Sequence, residues 1–151
     1  ISLSKNKNID YKTNFNGEVT NWGDTDISFS PNLISSVGFN YSPKKDLNIS
    51  ILNKFVGDQY MSNTESVVSK LSSYSTTDLN FIYSFKKSKY FNEIIFTAML
   101  NNIFNKEYVS NGYYYTYDDT WSDPNIVTTI EGTGYYPQAK RNFLIGFTFK
   151  L

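Results

Sequence analysis

Neither cysteine nor histidine occurs anywhere in the 151 residues. Without cysteine there is no disulfide framework, no thiolate metal site and no cysteine nucleophile. Without histidine the commonest metal ligand and general base are missing as well. Carboxylate or hydroxyl chemistry remains, but no constellation of such groups stands out, so neither an enzyme nor a cofactor is expected and no residue is assigned a catalytic role. Asp118, Asp119 and Asp123 could offer oxygen ligands to calcium, yet they do not follow the EF-hand spacing; a solvated acidic loop is expected there, and no metal site. Charge of one sign is also lacking: 14 basic residues balance 14 acidic ones. Nothing therefore supplies a broad electrostatic footprint for nucleic acid, which is not expected as a partner. No stretch approaches the roughly 20 apolar residues of a spanning helix. The opening Ile1-Ser2-Leu3-Ser4-Lys5 reads as mid-strand and not as a signal peptide. A mean hydropathy of −0.42 decides nothing, because in a transmembrane barrel the lumen-facing residues dilute each lipid-facing stripe.

Aromatic residues are what the chain has in abundance, with 13 Tyr and 12 Phe. They fall into runs of period two, the signature of strands with two unlike faces. Leu33, Val37, Phe39 and Tyr41 alternate with small or polar residues. After the turn at Pro43-Lys44-Lys45-Asp46, Leu47, Ile49 and Ile51 do the same against Asn48 and Ser50. Leu79, Phe81, Tyr83 and Phe85 form a third run, and Ile94, Phe96, Ala98 and Leu100 a fourth. Phe143, Ile145, Phe147, Phe149 and Leu151 form the clearest one.

The connections between runs alternate in length. They are long near residues 6 to 26, short at 43 to 46, long near 61 to 73, short and basic at 86 to 91, and long near 109 to 134. Outer-membrane barrels have short periplasmic turns and longer extracellular loops, so this rhythm suits them better than a soluble sandwich. The expected fold is all-β: an antiparallel up-and-down meander of about six strands, forming the C-terminal part of a transmembrane β-barrel. The apolar stripes would face lipid and the alternate positions a wet or filled lumen. Tyr41, Phe85, Tyr90, Phe91, Phe104 and Tyr108, near strand ends, fit interfacial girdles. Six strands cannot close a barrel that starts at about eight, so residues 1–151 are expected to be one C-terminal fragment, its first and last strands partnered by further sequence.

Asn101-Asn102-Ile103-Phe104-Asn105-Lys106-Glu107-Tyr108 resembles the Asn-Leu-Phe-Asp-x-x-Tyr signature near the C-terminus of TonB-dependent outer-membrane receptors. Phe55-Val56-Gly57-Asp58-Gln59-Tyr60, Tyr136-Pro137-Gln138-Ala139-Lys140-Arg141-Asn142-Phe143 and the alternating terminal strand follow the family's usual order, and together the pieces cover most of residues 27 to 151. The resemblance implies a 22-stranded barrel in the outer membrane of a Gram-negative bacterium. It implies active uptake of a scarce nutrient such as siderophore-iron, cobalamin or an oligosaccharide. TonB would act through a plug and TonB box that are absent here, and a surface lipoprotein is an optional further partner. The terminal strand resembles the signal read by the barrel assembly machinery, with Leu151 where a terminal Phe is usual. In the signature, Asn101, Asn102, Phe104 and Tyr108 are expected to be structural, Asn102 lying near the outer interface or at a bulge.

The long segment after Tyr108 carries Tyr113, Tyr114, Tyr115, Tyr117 and Trp121, candidates for stacking on a sugar or an aromatic chelator, because flat rings give contact area at little entropic cost. Two other readings stay open: a small complete barrel of about eight strands acting as anchor or adhesin, and a soluble β-sandwich that binds carbohydrate through these tyrosines.

Overall fold

The computed structural model describes residues 1–15, 17–86, 90–123 and 125–151; of the short basic connection, residues 87–89 lie outside this description. The fold is all-β and antiparallel. A six-stranded sheet has the order β1-β4-β5-β8-β9-β12, built from β1 (Ser2–Leu3), β4 (Leu33–Lys44), β5 (Leu47–Val56), β8 (Tyr74–Lys86), β9 (Glu93–Asn101) and β12 (Asn142–Lys150). Every consecutive pair is antiparallel, so this sheet is a meander with three interruptions. The interruptions are two-stranded hairpins: β2 (Lys7–Phe15) with β3 (Glu18–Asp26), β6 (Gln59–Tyr60) with β7 (Lys70–Leu71) and β10 (Val109–Asp119) with β11 (Thr128–Pro137).

Side chains opposite one another in a register share a face, and the registers assemble the five sequence runs into one surface. Phe39, Ile51, Leu79, Leu100 and Phe143 form one row across the sheet. Tyr41, Ile49, Phe81, Ala98 and Ile145 form the next. Leu47, Tyr83, Phe96 and Phe147 form the third, and Phe85, Ile94 and Phe149 the last. None of these residues is buried; the outer ones, such as Phe39 and Phe147, are openly exposed. The other face carries Asn40, Ser50 and Asn80 in one row and Asn48 in the next. It turns more apolar toward β9 and β12, where Met99 and Leu144 continue the first of these rows.

One end of the sheet has tight connections. Lys44 pairs with Leu47 across Lys45 and Asp46, and the register slips between Tyr41 and Lys44, where Pro43 has no N–H to give to the ladder. The opposite end carries the hairpins, and the few buried side chains gather on that side of the molecule. Val56 closes β5, while Met61, Ser69 and Leu71 belong to the segment from β6 to β7, which includes a 3-10 turn at Val67–Ser69. This central insert braces both neighbours. Glu65 accepts from the Asp26 backbone and meets Lys7, and Asn63 accepts from the Ser28 backbone, holding β2–β3. On the other side Met61 lies against Gly112, where an added Cβ would stand 2.7 Å from its sulfur.

The long connections expected near 6 to 26 and 109 to 134 thus contain the paired strands β2–β3 and β10–β11. In the first, bulges between Asn8, Tyr11 and Lys12, with Asp10 at φ 50° and Gly23 at φ 72°, break the alternation that periodicity depends on. In the second, tyrosine occupies both faces, so no apolar-to-polar contrast marks the strand.

The sheet does not close on itself. Among the described residues β12 bonds only to β9, and β4 pairs with β1 only at Leu33 and Ile34, leaving the rest of that edge unpaired.

Candidate functional site

The hairpin β10–β11 rises from a bracket made by the two most recognisable segments of the sequence. Asn102 follows β9 directly and lies in the left-handed region at φ 50°, a conformation asparagine tolerates better than most side chains. It is 4% exposed and fully engaged. Its backbone N–H donates to Asp78 Oδ1 at 2.8 Å, its Nδ2 donates to the carbonyls of Lys106 at 2.8 Å and Ala139 at 3.3 Å, and its Oδ1 accepts the Lys106 N–H at 2.9 Å. Asn105 Oδ1 accepts from the Arg141 backbone at 3.0 Å, the Gln138 N–H donates to the Tyr108 carbonyl at 3.0 Å, and Asn101 Nδ2 donates to Asn142 Oδ1 at 2.9 Å. Residues 101–108 are thereby sewn to residues 138–142. The Lys140 ammonium beside Glu107 adds an ion pair that holds that carboxyl below its ordinary range.

Tyr108 stacks on Tyr74 with ring centres 4.4 Å apart. Tyr74 pairs with Val56, two places along from the Thr76–Lys54 pair, so this contact lies on the face opposite the apolar rows. The girdle position expected for Tyr108 is therefore not where its ring packs. Phe104 stands exposed in the turn. At the tight end, Phe91 lies 5.0 Å from Phe149 and Tyr83 4.4 Å from Phe85. Phe143, Ile145, Phe147 and Phe149 all lie on the apolar face, and Leu151 follows the strand, exposed.

Above the bracket, the register of β10 with β11 sorts the tyrosines. Tyr113 faces Gly134, Tyr115 faces Gly132 and Tyr117 faces Ile130, all on one side. Tyr136, opposite Asn111, joins them diagonally. Ring centres follow at 6.1 Å from Tyr136 to Tyr113, 6.2 Å to Tyr115 and 6.3 Å to Tyr117, the last three rings being within 25° of parallel from one to the next. All four are 49–55% exposed. The glycines make this possible. A Cβ on Gly132 would lie 2.3 Å from Tyr115 Cζ, and one on Gly134 would lie 2.3 Å from Tyr113 Cζ, so each ring reaches across the hairpin and rests its phenol end over the glycine opposite.

Tyr114 points to the other side, where its hydroxyl donates to Glu131 and lowers that carboxyl's pKa. Trp121 sits at the hairpin tip, 92% exposed. The tip is organised by Asp119, which accepts from the backbones of Trp121 and Ser122 and from the Ser122 hydroxyl; that hydroxyl is the first cause of its depressed pKa. Asp123 accepts the Asn125 N–H at 3.0 Å and Asp118 the Thr129 hydroxyl at 2.8 Å, so these carboxylates serve the turn and the strand pair. On the Tyr114 side of the hairpin base, a cleft of about 350 Å³ is lined by Lys70, Ser72, Lys106, Tyr108 and Tyr135 among others.

Of the five aromatic residues singled out from sequence, the fold thus gathers Tyr113, Tyr115 and Tyr117, and separates Tyr114 and Trp121 from them. Tyr136 was not among those five, and Gly132 and Gly134 carried no assigned role. Their signal was the Gly-x-Gly spacing matched to Tyr-x-Tyr in a strand of the opposite direction. The ensemble offers ring faces, hydroxyls and carboxylates, and no paired acid and base aimed at a common point. Comparison with protein families, characterised proteins and solved structures finds no match to this chain.

Proposed function

We propose that this chain is wall and outer loops of a bacterial outer-membrane β-barrel, belonging to a receptor for energy-coupled nutrient uptake. The observation that carries the proposal is the four-row apolar face, on which no second sheet or helix is packed among the described residues. A soluble sheet of this width buries such a face against a second layer; a barrel strand leaves it to lipid. Four rows two residues apart span about 20 Å along the strands, the order of the ~25 Å apolar band of such barrels. Toward the hairpin end the same face turns polar at Asn53 and Thr77, which hydrogen-bond each other at 2.8 Å. Tight turns at one end and long hairpins at the other match the periplasmic and extracellular sides.

The two sheet edges left unpaired among the described residues support a segment of a larger closed wall, since open edges leave N–H and C=O groups unsatisfied in hydrocarbon. The uptake role rests on the resemblance of residues 55–60, 101–108 and 136–143 to TonB-dependent receptors. Under this reading the wall is placed by the barrel assembly machinery, while TonB coupling belongs to a plug outside this chain.

The test is partitioning. The chain should acquire protease-resistant β structure in detergent micelles or lipid vesicles, most completely when strands that pair its two open edges are supplied, and should aggregate in plain buffer. A monodisperse folded species in buffer alone would sink the membrane reading.

A further inference from the structure

We infer that the Tyr136-Tyr113-Tyr115-Tyr117 strip is a binding platform for a neutral linear carbohydrate. The inference deepens the uptake reading by naming a ligand class, and it rests on that reading only for its biological setting.

Three observations point to this ligand. The first is repetition: four half-exposed rings at 6.1–6.3 Å intervals form a straight track along one hairpin face. A track with a constant step suits a polymer whose units repeat on a similar scale and offer apolar ring faces edged with hydroxyls, as pyranoses do. The second is the pair Gly132 and Gly134. A side chain on either would displace a ring, and their absence lets Tyr115 and Tyr113 lie across the hairpin with their surfaces presented outward. Core packing does not account for that arrangement, because the opposite face of the hairpin is the one that meets Met61.

The third observation is charge. Residues 109–137 contain four acidic side chains, Asp118, Asp119, Asp123 and Glu131, and no lysine or arginine. Anionic ligands such as nucleic acid strands, acidic glycans and ferric chelates of negative charge gain nothing here and are repelled. A neutral glycan is indifferent to the acids and gains from ring contacts. A cationic polypeptide is the competing occupant. Against it, Asp119 and Asp123 are committed to the tip's own hydrogen bonds and Asp118 to Thr129.

The experiment uses the full chain in detergent micelles, with malto- and cello-oligosaccharides of two to six units as probes, read by calorimetry and by intrinsic fluorescence. Affinity for at least one series should rise with length up to about four units, one per ring, and change little with salt. Tyr115→Ala and Tyr113→Ala should each weaken it roughly three- to tenfold, the scale of one aromatic contact. Tyr115→Phe should bind nearly as wild type, and Tyr114→Phe, on the other face, should be unchanged. The length series on wild type needs no substitution, so a misfolded variant does not protect the idea. No binding of either series up to about 10 mM, or equal binding by the alanine variants, overturns the inference. Salt-sensitive binding of polylysine in place of sugar reassigns the strip to a polycation and overturns it too. Sugar binding by a chain that fails to enter lipid leaves the platform standing while the membrane reading falls.

Discussion

Asn102 illustrates how one side chain can hold together segments 37 residues apart. Its amide nitrogen donates toward both Lys106 and Ala139, its oxygen accepts from Lys106, and its left-handed backbone turns the chain out of the sheet. Asn102→Ala deletes those three bonds in a buried setting and places a Cβ-bearing residue without side-chain compensation at φ 50°. The expected loss is about 3 kcal/mol, at roughly 1 kcal/mol per net hydrogen bond, with backbone strain added. Asn102→Gly should recover about 1 kcal/mol of it by relieving the backbone alone. Denaturant titration in detergent, with amide exchange at residues 102–108 and 138–141, reads both. Full recovery by glycine would show the side-chain bonds to be idle. Gly134→Ala tests the neighbouring device: with Tyr113 Cζ 2.3 Å from the new carbon, the ring must swing away, at a cost of about 1–3 kcal/mol to the hairpin. Unchanged hairpin stability, seen by exchange at residues 109–117, would refute it.

Among the elements, the five long strands of the sheet were legible in the sequence because each keeps one apolar and one mainly polar or small set at period two, and the registers place those sets in rows. The hairpins were not, for separate reasons. In β2–β3 Phe15 pairs with Glu18 at the closed end of the hairpin, but bulges around Asp10 scramble the faces. In β10–β11 alternation exists between Tyr113, Tyr115 and Tyr117 on one side and Tyr114 and Thr116 on the other, yet residue type does not betray it. The β6–β7 insert falls in the long connection near 61 to 73, and its order depends on contacts that sequence spacing does not reveal. Asp58 is one of these: it accepts the Ser73 N–H at 2.6 Å and pairs with Lys70 at 2.8 Å. The Lys70 ammonium, then the Ser73 N–H, pull its pKa below the ordinary 3.8. A carboxylate with a depressed folded pKa contributes stability above its unfolded value, and that contribution is lost as pH falls through the folded one. Amide exchange in residues 58–73 should therefore accelerate, beyond its intrinsic pH dependence, only below about pH 4. In Asp58→Asn the same segment should be looser at neutral pH and lack that acid-induced loosening; identical profiles for the two proteins would contradict the assignment.

For the whole molecule, the question is which solvent each face of the sheet meets, and a matched pair of substitutions asks it directly. Phe81 lies in the second apolar row, between Ile49 and Ala98, whereas its chain neighbour Asn80 lies on the opposite face between Ser50 and Met99. An arginine at either place adds the same charge to the same stretch of β8. If the apolar rows meet hydrocarbon, Phe81→Arg should cost about 2–4 kcal/mol in lipid vesicles, as for cations near the bilayer midplane. Asn80→Arg, facing water or a polar interior, should cost about 1 kcal/mol or less. In a water-soluble sheet with both faces wet, the two variants would differ little, and a sheet stacked on another protein layer would lose Phe81→Arg binding to that layer and not to lipid. The open edges of β4 and β12 sharpen the comparison, because they admit further strands without disturbing the row that contains Phe81. Supplying those strands should raise the stability of every variant, yet the gap between the two arginines should persist, since it depends on what the second row faces and not on how many strands complete the wall.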